Sequence, residues 1–318
     1  MKWKQPKVYA ACHKNEDVRA ASRSGGIFTA VTDYILEQGG IVYGCVLDED
    51  WKAVHIRTES KEVRNSMRGS KYIQSKLKDT YKNVKADLND GRKVLFSGTS
   101  CQVAGLKSFL GKENQNLFCI DIVCHGVPSP KIWGEYLKWQ EKRNKDTIVS
   151  IDFRNKKDFG WRAHIETIIF SRGRKTSSGI FKTLFYSHEI LRPSCYECPF
   201  KSIMHPGEMT IADYWGIEKA APEFDDNKGV SLVLVNGDEG NKMFETVRDS
   251  LKWKDTSIEK SMQPPLESPF PKPDHRESFW EDYQKKGITY VVKKYGGYGL
   301  MNKLKRRLKK IERKLEEK

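Results

Sequence analysis

Apolar positions along this chain keep two alternating rhythms up to about residue 145 and change character afterwards. A short apolar run predicts a strand over 8–12. Ile27, Phe28, Val31, Ile35 and Leu36 recur at helical spacing and predict a helix over 27–38, which Gly39-Gly40 stops. A strand over 41–47 and a helix over 76–89, ended by Gly91, follow. Val94-Leu95-Phe96 reads as a buried strand entering Gly98-Thr99-Ser100-Cys101, with a helix over 103–110. The run 117–123 is another apolar strand, ending at Cys124-His125-Gly126-Val127-Pro128. Ser129 is placed to cap the next helix, with Pro130 at its first position and Ile132, Trp133, Tyr136, Leu137 and Trp139 along it.

Apolar strands alternating with helices predict an α/β layer with some parallel pairing. From residue 148 the runs 148–153 and 164–170 read instead as antiparallel partners, and an apolar strand is expected over 230–235 and a helix over 240–251. Five prolines between 264 and 273 predict a linker or an extended wrap. From Leu300, the residues Leu300, Leu304, Leu308, Ile311 and Leu315 form one apolar stripe among lysines and arginines. The expected fold class is α/β (α+β): a mixed sheet core with flanking helices, a cysteine-loop region and a C-terminal basic helix. The expected domains are 1–145, 146–290 and a tail over 291–318.

With 318 residues and 38% hydrophobic content the chain can bury a sizeable core. No apolar run approaches the ~20 residues of a membrane span. Met1-Lys2-Trp3-Lys4-Gln5-Pro6 carries charge but no apolar segment, so a signal peptide is not expected and a reducing cytoplasm is. Seven cysteines there read as metal-binding, catalytic or buried rather than as disulfides. The net charge is +15, but 293–318 alone holds 11 Lys/Arg against 3 Glu. The body is thus only moderately basic. That suits phosphate-bearing cofactors or an acidic electron-transfer partner, and no nucleic-acid motif accompanies it. The tail is suited to an anionic membrane surface or a partner, with a solvated terminal helix as the ordinary alternative.

The chemistry concentrates in a few loops. Cys195-Tyr196-Glu197-Cys198-Pro199-Phe200 sets two thiolates three residues apart, and a proline after the second is favoured in iron–sulfur loops. Cys101 and Cys124, in glycine-bearing contexts, bring the candidate ligands to the four that a [4Fe-4S] cluster needs. A structural zinc site, or plain core thiols at strand ends, are the alternatives. Cys12, Cys45 and Cys119 read as buried thiols. Ser24-Gly25-Gly26 precedes a helix whose first N–H groups can hold phosphate. Arg68, Gly69, Ser70, Lys71 and Tyr72 supply cations, a hydroxyl and an aromatic face of the kind a pyrophosphate with a stacked ring would use. Each loop alone reads more readily as a polar turn. His125 is a candidate proton donor, with a structural histidine as the alternative. Asp213-Tyr214-Trp215-Gly216 sets a carboxylate beside two aromatics.

Taken in order, Ser24-Gly25-Gly26-Ile27-Phe28, Arg68-Gly69-Ser70-Lys71-Tyr72, Gly98-Thr99-Ser100-Cys101-Gln102, Cys124-His125-Gly126-Val127-Pro128-Ser129, the Cys195–Phe200 loop and Asp213-Tyr214-Trp215-Gly216 resemble the coenzyme F420 hydrogenase/dehydrogenase beta-subunit family. The resemblance spans about residues 7–280. It implies an iron–sulfur flavoprotein that passes electrons between a cluster and a flavin, then to or from a two-electron acceptor such as coenzyme F420. It implies Cys101, Cys124, Cys195 and Cys198 as cluster ligands. It also implies flavin contacts at Ser24, Gly25, Gly26, Arg68, Gly69, Ser70, Lys71, Tyr72, Gly98, Thr99, Gln102 and Gly126, with FAD expected and FMN the alternative. Ser100, Arg23 and Ala212 depart from the residues usual in the family. Many relatives carry a ferredoxin-like domain before the body, and here a separate ferredoxin or another donor subunit is expected instead. The alternatives are a redox enzyme of polysaccharide or glycoconjugate assembly, docked at the inner membrane surface by its tail, and a zinc-stabilised adaptor without catalysis.

Overall fold

The computed structural model describes residues 5–299, so the basic stripe expected from Leu300 lies outside the described residues. In chain order the first elements are β1 (Lys7–His13), α1 (Glu16–Ala21), α2 (Ile27–Glu37), β2 (Ile41–Leu47), β3 (Ala53–Thr58), α3 (Lys61–Asn65) and α4 (Thr80–Asn89). Next come β4 (Val94–Thr99), α5 (Ser100–Leu110), β5 (Leu117–Ile122), α6 (Pro130–Asn144), β6 (Ile148–Asp152), α7 (Lys156–Phe159), β7 (Glu166–Phe170), β8 (Lys175–Ser178) and α8 (Ile180–Tyr186). The last are β9 (Met209–Asp213), α9 (Ile217–Ala220), β10 (Ser231–Val235), α10 (Gly237–Val247), β11 (Leu251–Thr256), α11 (Ile258–Ser261), α12 (Pro264–Glu267) and α13 (Arg276–Lys294). Two compact units share these elements. The first takes the chain up to Val127, Lys156–Ala163 and Glu197–Phe270. The second takes Pro128–Asn155, His164–Tyr196 and the described chain from Pro271.

The first unit is built on an eight-stranded mixed sheet in the order β11-β1-β10-β9-β5-β4-β2-β3. Strands β2, β4, β5 and β9 are parallel neighbours. β1 is antiparallel to β10 and β10 to β9, so β1 points the same way as those four. Side chains alternate between two buried faces, as the two-residue period of a strand requires. Val42, Leu95 and Ile120 face α2 and α10 in one core. Tyr43, Phe96 and Cys119 face α4 and α5 in another. Central β10 is buried along its whole length and reads as a continuous apolar run, as a strand covered on both faces does.

The second unit holds the antiparallel sheet β6-β7-β8 with α6, α8 and α13. Trp133 on α6 packs against Phe153 and Phe181. Ser129 stands at the cap of α6 and Pro130 opens it, although the serine hydroxyl makes no capping bond. Gly287, at φ 73°, interrupts α13.

The mixed α/β class agrees with the sequence pattern, and the differences have physical causes. Helix α4 begins at Thr80 rather than at 76, because Lys76 bridges to Val54. Helix α10 ends at Val247 and Leu251 opens β11, in place of the single helix over 240–251 that the pattern predicts. β11 is an edge strand whose lysines hide its apolar rhythm, a common way of blunting a sheet edge. β3 and β8 also carry no readable pattern, since their polar residues break the alternation. The proline-rich stretch contains the one-turn helix α12 and no strand.

Candidate functional site

Five strands that point one way bring their carboxyl ends to one end of the sheet, the end at which α/β proteins of this kind bind ligands. Those ends are His13, Leu47, Thr99, Ile122 and Asp213. Thr99 pairs with Ile122 across β4 and β5, and Ile122 pairs with Ile211 across β5 and β9. Cys101 and Cys124 each follow their member of the first pair by two residues, so register sets them at neighbouring strand ends. Cys101 sits in the first turn of α5 and is exposed, while Cys124 is half-buried.

Local bonds fix the β4–α5 turn. Gln102 accepts the Thr99 N–H at 3.0 Å, closing a capping box, and its amide donates to Ser75 Oγ at 2.8 Å. Thr99 Oγ1 lies 3.1 Å from Cys101 Sγ. A Cβ on Gly98 would come within 3.0 Å of both Phe96 and Gln102, so this glycine serves close packing in the turn. Beneath the turn, Ser100 Oγ lies 3.1 Å from His205 Nδ1, which is 3.3 Å from Asp121 Oδ2, and all three side chains are buried.

Lys201 ties the Cys198 loop to the segment that leaves β5. Its ammonium donates to the Cys124 carbonyl, and its backbone N–H points to the Cys198 carbonyl at 3.4 Å. Phe270 lies 5.2 Å from the Lys201 ammonium and 4.1 Å from the ring of His125. Gly126 turns the chain at φ 132°. Cys195 belongs to the second unit, where it closes the 3-10 turn Pro193–Cys195.

The glycine loop before α2 divides into two roles. Gly25 gives its N–H to Ser231 Oγ at 2.9 Å, and a Cβ there would lie 2.3 Å from the Ala11 carbonyl oxygen. Ser24 donates to the Val230 carbonyl at 2.6 Å. Both residues therefore lock the loop onto β1 and the approach to β10. Gly26, at φ 97°, has no side chain to cap α2, which leaves first-turn N–H groups for another acceptor. Arg68 reaches the same turn and donates to Thr29 Oγ1 at 3.0 Å. Burial lowers the Arg68 pKa, with the nearby Arg64 adding to it, so an anion beside it would be stabilised.

Lys71 donates to the Ser66 and Arg68 carbonyls at 2.9 and 3.0 Å, stapling its own loop. Burial brings its pKa down to about 8. Gly69 and Ser70 form the exposed tip of that loop, and Tyr72 is half-buried. Burial raises the pKa of Cys12, Cys45 and Cys119, as inert thiols require.

The donor chemistry suits a cluster. Cys101, Cys124, Cys195 and Cys198 form no disulfide and reach solvent at least in part. Among the described residues, no three His, Cys, Asp or Glu side chains group closely enough to share a single ion. A four-iron cluster does not require that, since each thiolate takes its own iron. The open first turn of α2 with Arg68 suits a phosphate-bearing cofactor.

Sequence reasoning missed Lys201, His205, Asp121 and Ser75. Only Lys201 carried a signal, as a cation three residues after a candidate thiolate. It also missed that Trp161 stacks on Trp215 at 5.0 Å and donates its indole N–H to Asp213, which fixes the β9 end.

An α/β sheet that brings five strand ends together, with cysteines on the segments that follow two of them, belongs to the class of folds that bind ligands at their strand ends. Residues 91–260 match the C-terminal family model of the coenzyme F420 hydrogenase/dehydrogenase beta subunit, and residues 8–81 match the N-terminal one. The chain therefore belongs to the coenzyme F420 hydrogenase/dehydrogenase beta-subunit family, an oxidoreductase family whose membership implies electron transfer. A chain in the structure of the xenon-derivatized F420-reducing [NiFe] hydrogenase complex from Methanosarcina barkeri is similar, with a TM-score of 0.54 and 17% identity. The similarity covers 79% of this chain and 82% of that one, and shows a shared fold. No curated protein gives a significant match. Among the described residues, no helix is long and apolar enough to cross a membrane.

Proposed function

We propose that this protein is an iron–sulfur flavoprotein oxidoreductase that moves electrons between a [4Fe-4S] cluster and FAD, with FMN the alternative. Coenzyme F420 or another small molecule is the two-electron acceptor or donor. The observation that carries this reading is the convergence of its parts at one sheet end. Cys101 and Cys124 each lie two residues past the paired Thr99 and Ile122, and Lys201, three residues after Cys198, donates to the Cys124 carbonyl.

The assigned thiolates are Cys101, Cys124 and Cys198, with Cys195 as the fourth from its place three residues before Cys198 in the sequence. When bound, the cluster supplies one-electron chemistry and the flavin two-electron chemistry. The remaining roles belong to the chain. The open first turn of α2 at Gly26, with Arg68, binds the anionic part of the flavin. Ser24 and Gly25 hold that turn in place through β1 and β10. Lys71 shapes the loop that carries Arg68, Gly69, Ser70 and Tyr72. Gly98, Thr99 and Gln102 build the turn that presents Cys101, and Gly126 lets the chain leave Cys124. His125, packed on Phe270, would as the imidazolium pass a proton to the acceptor as it takes up two electrons and be left as neutral imidazole. Reducing equivalents arrive from a ferredoxin or another subunit.

The test is iron, sulfide, zinc and flavin analysis of anaerobically purified full-length protein. The expected result is about four irons per chain with bound flavin and broad visible absorbance, as four-cysteine ligation implies. Colourless protein with one zinc would overturn the reading and leave a structural metal site in its place.

A further inference from the structure

We infer that Lys201 sets the reduction potential of the thiolate-held centre, acting as a positioning residue through its charge. The inference rests on the proposed cluster reading. Four observations carry it. Lys201 is 6% exposed, so its ammonium is withdrawn from bulk water. Its ammonium donates to the carbonyl of Cys124, and its backbone N–H points to that of Cys198, so one residue touches the backbone of two of the assigned ligands and sets its charge beside Cys124. The ring of Phe270 lies 5.2 Å from the ammonium and gives it a second, cation–π contact. His125 packs on that same ring at 4.1 Å, so the aromatic group links the lysine to the candidate proton donor.

The physical consequence follows from charge. Reduction adds one electron to a centre that its thiolates already make anionic. A nearby cation stabilises the reduced state more than the oxidised one, and low exposure limits its screening by water and salt. Net charge, hydrogen bonding and solvent exposure are the protein's means of setting such potentials. Lys201 supplies the first, and its bond to the Cys124 carbonyl holds that charge in place.

The test uses the full chain purified anaerobically, with iron quantified first, then a dithionite titration followed by electron paramagnetic resonance. Three variants separate charge from contact. Lys201→Gln keeps a donor for the Cys124 carbonyl and removes the charge. Lys201→Met removes both, and Lys201→Arg keeps the charge. With iron content equal to wild type, Lys201→Gln is expected to lower the reduced-to-oxidised ratio at a fixed potential about tenfold, a shift of ~59 mV for one electron. Lys201→Arg is expected to stay near wild type. A potential unchanged in Lys201→Gln would overturn the inference while leaving the cluster reading intact. Wild-type protein without iron would overturn both, and the two failures are told apart by the iron assay alone. If Lys201→Met does not fold, the Gln and Arg pair still decides the matter.

Discussion

Single side chains decide both whether this end of the sheet can be built and whether it can hold the proposed cofactor. Cys198 shows the second case. Its sulfur is one of the four assigned to the cluster, and removing it leaves one iron without its thiolate. Cys198→Ala is expected to lose most bound iron and the visible absorbance, measured by iron assay and spectrum. Full retention of both would sink the ligand assignment. Gly25 shows the first case. A methyl group there would meet the Ala11 carbonyl oxygen at 2.3 Å and the Ser231 nitrogen at 2.8 Å. Both neighbours are strand backbone and cannot swing away, so Gly25→Ala is expected to cost about 1–3 kcal/mol or more. A urea midpoint equal to wild type would contradict this. The sequence marked Ser24-Gly25-Gly26 as a phosphate loop. The structure adds a packing role for one of these glycines, because Gly25 lies directly against the backbone of β1 and β10 where a Cβ has no room.

Elements carry a different kind of dependence, seen where α6 meets the three-stranded sheet. Tyr136 on α6 donates to Glu166 on β7, and Ser178 on β8 donates to the same carboxyl at 2.6 Å. Gln140 donates to the Tyr136 hydroxyl at 2.6 Å. Burial raises the Glu166 pKa to about 7, against an ordinary value of 4.5. The sign follows from linkage. Below about pH 4.5 the carboxyl is protonated in folded and unfolded chains alike, and burial carries no ionisation penalty. Between about 4.5 and 7 the unfolded chain releases a proton that the folded chain keeps, so stability falls as pH rises, by an amount on the order of 3 kcal/mol. Glu166→Gln is expected to remove that slope while keeping an acceptor for Tyr136. Urea unfolding of both proteins at pH 5 and pH 7.5 measures it, and parallel pH dependence would refute it. Long apolar elements such as α2, β5 and β10 were legible in the sequence because burial on their faces writes a period into the chain. β3, β8 and β11 were not, since polar residues mask the period of edge and partly exposed strands.

At the scale of the whole molecule, charge governs encounter with partners. The net charge is +15, and 300–318 contributes nine Lys/Arg against three Glu. Electron delivery from an acidic donor is therefore expected to slow several-fold as salt rises from low to about physiological strength and beyond, because screening shortens electrostatic steering. Stopped-flow reduction across a salt series checks this, and a flat profile would remove the electrostatic argument. The sequence by itself determined the family and the α/β class, and it singled out the candidate cysteines and glycines. Those rest on local composition, on the order of motifs and on a periodicity that each segment carries alone. The tertiary structure decided how they meet. Strand register paired Thr99 with Ile122 ahead of Cys101 and Cys124, the turn into α2 received Arg68 from a loop some forty residues away, and Lys201 was drawn to the Cys124 carbonyl. The physical reason is that pairing register and the burial of a charged side chain depend on contacts between segments far apart in the chain, which no local pattern records.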